Sequence, residues 1–201
     1  MKKTLLIFVK NPVYGKVKTR LAATAGNEKA LLVYQNLIKY TAAITCNLPV
    51  KKTVYYSDFI GTEDYWDEDI YTKKIQQGNN LGERMQNAFK ESFDQGFNEV
   101  VIIGSDCVEI SEEHLLNAYT HFENYDVVIG PAVDGGYYLI GLKEIHINIF
   151  SNILWSTETV LAQTLRLCAI EKLSVYLLPE LSDIDEEKDI KEEHKKILQF
   201  I

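Results

Sequence analysis

VVIIGSDC, residues 100–107, is the stretch on which the reading of the fold turns. Val100 to Ile103 form a β-branched apolar run that is too short for a free-standing helix. It reads as a strand buried on both faces, as the central strands of a parallel sheet are. Open α/β sheets present their ligands at the carboxyl ends of such strands. Gly104 predicts a tight turn at that end, and Asp106 then falls where the strand meets solvent, as a candidate metal ligand.

Working outward, further strands are predicted over 3–9, 51–57, 69–77, 126–130, 135–142 and 174–178. Apolar residues at helical spacing predict helices over 28–46, 81–96, 111–122, from 156 or 157 to 168, and 186–200. Ser111 followed by Glu112 and Glu113 is a good helix start, because the hydroxyl caps and the acids suit the positive end. Strands alternating with helices indicate a mainly parallel α/β sheet covered on both faces. Only Pro131 to Asp134 separate the strands at 126–130 and 135–142, so an antiparallel pair there would make the sheet mixed. At 201 residues and 46% hydrophobic content, one domain over 1–201 needs no disulfides to hold it together. The basic and then apolar N-terminus runs into Lys10 and Pro12, which marks a first strand and not a signal peptide or membrane span. Cys46, Cys107 and Cys168 are far apart, with no CxxC spacing, so a reduced, cytoplasmic protein is expected.

The net charge of −8 argues against a nucleic-acid binder, which would show a basic footprint. Against that background Lys10, Lys16, Lys18 and Arg20 form a basic island around Gly15. Backbone amides and cationic side chains of such a loop suit a diphosphate, and a following helix start would add its dipole. The plain alternative is a solvated basic turn. It is not a Walker A loop, since Gly15-Lys16 is followed by Val17 in place of Ser or Thr. Around Asp106, a nucleophilic Ser105 or Cys107 lacks a histidine nearby and lacks GxSxG flanks, whereas a hard cation needs few carboxylates; the alternative for Asp106 is a turn cap.

Asp134-Gly135-Gly136 at a strand entrance would let a backbone approach a ligand without Cβ interference, or simply make a tight connection. Tyr137 and Tyr138 alternate sides, so at most one faces a ligand. DIDEEKD (183–189) has acids at alternate positions but lacks the glycine and glutamate of an EF-hand. Asp185 before Glu186 and Glu187 reads as a helix cap, which leaves Asp183 free to act elsewhere. The four histidines show no zinc spacing and are expected on the surface or in helices.

Taken in order, K-x-P-x-x-G-x-V-K-T-R-L (10–21), L-G-E-R-M (81–85), G-S-D-C (104–107), D-G-G-Y-Y-L-I-G (134–141), W-S-T (155–157) and D-I-D (183–185) make the chain resemble a bacterial family. That family has the nucleotide-diphosphosugar transferase (GT-A) fold. Its members are described as a domain of unknown function, or as radical-SAM/selenodomain-associated or arsenosugar-biosynthesis glycosyltransferases. It commonly has proline two residues after the strand-end aspartate, where this chain has Val108. The resemblance implies a nucleotide-sugar donor and a small-molecule acceptor. Lys10, Gly15, Lys16, Lys18 and Arg20 would lie at the phosphates, and Gly78, Leu81 and Arg84 near the nucleobase. Magnesium or manganese would sit on Asp106, approached by Asp183 or Asp185, and the turn with Gly135 and Gly136 would face the sugar or acceptor. Asp134 is the candidate base. A nucleotidyltransferase, joining a nucleoside triphosphate to a phosphorylated metabolite, would use the same fold and basic loop. A non-catalytic binding module would retain the ligand contacts without turnover.

Overall fold

The computed structural model describes residues 2–200. The strands are β1 (Lys3–Val9), β2 (Lys51–Tyr56), β3 (Tyr71–Ile75), β4 (Glu99–Ile103), β5 (Val127–Pro131), β6 (Tyr137–Leu142) and β7 (Val175–Leu177). The helices are α1 (Thr19–Ala25), α2 (Asn27–Thr45), α3 (Leu81–Asp94), α4 (Glu112–Thr120), α5 (Val160–Ile170) and α6 (Glu192–Leu198). Among the described residues the strands form one seven-stranded sheet in the order β3-β2-β1-β4-β6-β5-β7. β6 runs against β4 and β5, while the other pairings are parallel. This is the mixed, mainly parallel sheet that the short connection between β5 and β6 predicts.

Side-chain alternation explains the two layers. Leu5, Ile7 and Val9 of β1 and Val101 and Ile103 of β4 join one apolar cluster with Leu37 of α2, Leu115 of α4 and Leu198 of α6. Leu6, Phe8, Val100 and Ile102 point the other way, into a second cluster with Met85 and Phe89 of α3 and Cys168 of α5. With both faces covered, every residue of β4 is buried, which is why its sequence shows no polar alternation. Tyr137 and Tyr138 divide between these clusters as their alternation requires.

Several local expectations are revised. α1 lies outside the expected helices, because it is only seven residues long and buries Leu21 alone, too little for an apolar period to show. α5 begins at Val160, after Ser156 turns with φ 64°. The expected last helix divides into a 3-10 turn, Glu187–Asp189, and α6, because Ile190 is extended. Glu186 and Asp189 cap that turn, and Asp185 is turned to another use. His194 lies in α6, one of the two expected settings for the histidines, and is buried there at 6% exposure. Gly104 has ordinary φ, and a Cβ there would meet nothing nearer than the Asp106 amide at 4.0 Å, so the turn does not demand glycine.

Two of the sequence motifs turn out to be one contact. Gly82 of α3 lies under the indole of Trp155, and a Cβ at 82 would stand 2.6 Å from the ring nitrogen. Gly82→Ala is therefore expected to push the ring away and to cost about 1–3 kcal/mol. Urea unfolding and tryptophan emission check this, and an unchanged midpoint with unchanged emission would rule it out.

Candidate functional site

The segment that follows β7 builds the site. Leu181 pairs with Ala132 in a parallel bridge, donating to the Pro131 carbonyl at 3.1 Å and accepting from Val133 at 3.0 Å. Three residues on, the Ile184 amide donates to the Asp106 carbonyl at 3.0 Å, and the Ser182 amide donates to Glu109 Oε2 at 2.8 Å. The D-I-D segment is thus laced to the loop after β4, and Asp106 and Asp185 arrive at the same place.

What they meet is Lys18. Its Nζ lies 2.9 Å from Asp106 Oδ1 and 3.1 Å from Asp185 Oδ1, and Arg20 approaches Asp185 Oδ2 at 3.6 Å. Lys18 takes up the left-handed conformation, φ 46°, as the chain enters α1, which aims its side chain inward; that side chain is 4% exposed. Burial works against the ammonium, but Asp106 and Asp185 outweigh it and hold the lysine pKa above its ordinary value. The two carboxylates stay open to the crevice, at 39% and 44% exposure.

Asp183 is the strained member of the group. Its Oδ1 is buried and accepts no hydrogen bond. Burial, then the charges of Asp106, Asp134 and Asp185, push its pKa up to about 7, with Lys18 opposing.

The basic loop is fixed by residues that the sequence reading did not single out. The Tyr34 hydroxyl of α2 accepts from the Lys10 amide at 2.8 Å, donates to its carbonyl at 3.2 Å, and lies 3.2 Å from Ser105 Oγ. Asn11 is buried; its amide nitrogen donates to the Phe59 carbonyl at 2.7 Å and its oxygen accepts from the Asp58 amide at 3.0 Å. Within this loop Lys10 and Lys16 are exposed, and Gly15 turns with φ 72°.

The remaining predicted residues lie at the rim. Arg84 donates to the Gly78 carbonyl at 3.1 Å and to Gln76 Oε1 at 3.2 Å. Gln76 in turn holds the carbonyls of Val9 and Tyr55 at 3.2 and 2.9 Å, the ends of β1 and β2. Leu81 is an exposed first residue of α3. At the other side the Gly136 amide donates to Asp134 Oδ1 at 2.8 Å. Gly135, φ 85°, makes its close approach to the protein itself, since a Cβ there would stand 2.0 Å from the Glu158 carbonyl oxygen. Its carbonyl accepts from Leu161 at 2.9 Å and ties this turn to α5.

The donor set fits a hard divalent cation of the magnesium class. Asp106 and Asp185 each offer an oxygen about one hydrogen bond from a single cationic point, and both are partly open to solvent. Among the described residues no group of three or more His, Cys, Asp or Glu side chains is placed to hold a metal ion, so the donors here are these two carboxylates. An ion with two carboxylates keeps its other positions for water and phosphate oxygens.

This fold is the nucleotide-diphospho-sugar transferase-like α/β fold. The chain belongs to the DUF2064 family, described as an uncharacterized protein conserved in bacteria, whose model matches residues 42–157. It is similar to a crystal structure from Desulfovibrio desulfuricans G20 of a candidate nucleotide-diphospho-sugar transferase, with 30% identity, 99% of this chain and 95% of that one covered, and a TM-score of 0.87. A cytidylyltransferase from Leptospira borgpetersenii shares the fold at 13% identity, with 100% and 88% covered and a TM-score of 0.61. The inositol-1-phosphate CTP transferase from T. maritima does so at 10%, with 99% and 95% covered and a TM-score of 0.56. No curated protein matches. Among the described residues no helix is long and apolar enough to cross a membrane.

Asp183 gives the site a pH signature. Its folded pKa of about 7 lies above the ordinary 3.8, so the folded protein binds this proton more tightly than the unfolded chain does. Stability therefore falls as pH rises from 3.8 through about 7, and the full penalty applies above that window. Asp183→Asn is expected to stabilise the metal-free protein by about 1–2 kcal/mol at pH 8, screened by the partial exposure of the residue, and by nothing near pH 4. Thermal melts across this range check it; an equal effect at both ends would contradict the assignment.

Proposed function

We propose that the crevice binds a nucleotide-diphosphosugar and transfers its sugar to a small-molecule acceptor, with 1–201 acting as one catalytic domain. The observation that carries this reading is the convergence of Asp106 and Asp185 on the ammonium of Lys18, a cation from the loop after β1, at the carboxyl ends of β1 and β4. A site with carboxylates for a cation and lysines for phosphate, at that edge of such a sheet, suits a nucleoside diphosphate. The likeness to the Desulfovibrio protein named as a nucleotide-diphospho-sugar transferase supports the same ligand class.

In this reading Lys18 and Arg20 bind the diphosphate, with Lys10, Gly15 and Lys16 on the exposed lip of the loop. Arg84 and the Gly78 turn, with Leu81 beside them, shape the rim on the nucleoside side by holding the ends of β1 and β2 through Gln76. Asp134, anchored by the Gly136 amide, takes the proton of the acceptor hydroxyl, and the turn of Gly135 and Gly136 keeps it in place. Asp106 and Asp185, with Asp183 beside them, would hold magnesium or manganese, which neutralises charge on the leaving diphosphate when bound. The free state of Cys46, Cys107 and Cys168 accords with a cytoplasmic setting.

Nucleotidyl transfer is the second reading, favoured by the fold shared with the Leptospira and T. maritima enzymes. Products separate the two. Incubation with nucleotide sugars and a panel of acceptors, including an arsenosugar precursor, is expected to release a nucleoside diphosphate. Pyrophosphate release from a nucleoside triphosphate and a phosphorylated metabolite would establish the second reading instead. Asp106→Ala is expected to lower turnover by about a hundredfold or more and to abolish metal-dependent nucleotide binding in calorimetry. Intact binding in that variant would remove Asp106 from the metal role.

A further inference from the structure

We propose that Lys18 is a resident counter-cation which holds the place of the metal, so that metal and nucleotide bind interdependently. The inference rests on the nucleotide-site reading above and concerns how that site is filled.

The geometry sets the constraint. Lys18 Nζ already uses one oxygen of Asp106 and one of Asp185, while Arg20 faces the second oxygen of Asp185. Two cations thus stand against two carboxylates, and the group is neutral before any ligand arrives. A divalent ion placed on the same oxygens would put four positive charges against those two negative ones within a few ångströms. At such distances in a partly buried site the repulsion between Nζ and the ion is several times what it would be in water. The ammonium must therefore leave when the ion enters. Its Nζ lies over the Tyr34 ring, 6.0 Å from the ring centre, and the residue stands at the start of α1, so the ammonium swings and the loop stays. Tyr34 itself is bonded to both backbone groups of Lys10, which keeps the loop in place while the side chain moves.

A diphosphate resolves the imbalance. It brings negative charge for the ion to bridge and gives the displaced ammonium a new partner, so each ligand improves the site for the other. Lys18 thus acts in two places, on the carboxylates before binding and on the phosphates after it.

The test is Mn2+ binding, read by calorimetry and by electron paramagnetic resonance of the bound ion, in the full chain and in Lys18→Met. Without nucleotide, Lys18→Met is expected to bind Mn2+ about tenfold or more tightly than the unaltered protein, and Lys18→Arg to resemble the unaltered protein. In the unaltered protein a panel of nucleoside diphosphates is expected to tighten Mn2+ binding by at least about tenfold, and in Lys18→Met by much less. A second measurement needs no variant: acylation of Lys18, read by mass spectrometry, is expected to be slow in the metal-free protein, faster with saturating Mn2+ alone, and slow again with Mn2+ and nucleoside diphosphate. Equal Mn2+ affinity in the unaltered protein and Lys18→Met, or acylation of Lys18 indifferent to Mn2+, overturns the inference. If nucleotide still binds with metal in that case, the proposed function stands; if neither ligand binds in any combination, both fall.

Discussion

The ammonium of Lys18 is the interaction on which the arrangement of the site depends. An unpaired buried lysine would be costly, and here the cost is offset by two carboxylates that remain open to water on their other side. The contact joins three distant pieces of chain: the entry to α1, the loop after β4 and the segment after β7. The amide of Ile184 on the carbonyl of Asp106 fixes two of those pieces by backbone alone, so the carboxylates arrive in register whatever their side chains do. Glu109 repeats the tie one step further out through Ser182.

Much of the frame is legible in the sequence because its cause is local. The unbroken apolar run of β4 reflects burial on both faces, and the few residues between β5 and β6 leave no room for a parallel crossover. Ser111 caps α4, with its hydroxyl accepting from the His114 amide, because the motif lies within one turn. The site is less legible. Lys18 and Asp185 are separated by 167 positions, and no spacing rule links them. Tyr34 falls on the apolar stripe of α2, where a tyrosine hydroxyl cannot be told from a core ring until the loop above it is placed. Asn11 in an N-P turn reads as turn chemistry, yet its amide carries the contact between two loops. Of the two readings of Gly135, room for a ligand or a tight connection, the structure favours the tight connection, since the space is filled by the Glu158 backbone.

The fold narrows the function without fixing it. One sheet with one reversed strand hosts proteins named as sugar and as cytidylyl transferases, and the difference between those reactions lies in which bond of the nucleotide is broken. Both reactions demand a held phosphate chain and a positioned acceptor. The residues proposed for the phosphates follow β1, and Asp106 follows β4, both at the centre of the sheet. Asp134 and the Gly135 turn come from the antiparallel pair beside it, and this is the part of the site where the two chemistries would diverge.

The lacing of the D-I-D segment also sets an order of assembly during synthesis. A ribosome adds about 5–20 residues per second, so Lys18 and Asp185 are made roughly ten to thirty seconds apart. All seven strands are complete by Leu177. The nascent chain therefore has the material for its sheet before it has its site, and the last carboxylate closes onto a scaffold already in place. A chain that stopped at Leu177 would hold every strand of the sheet and lack both Asp183 and Asp185, so sheet and site are separable in length.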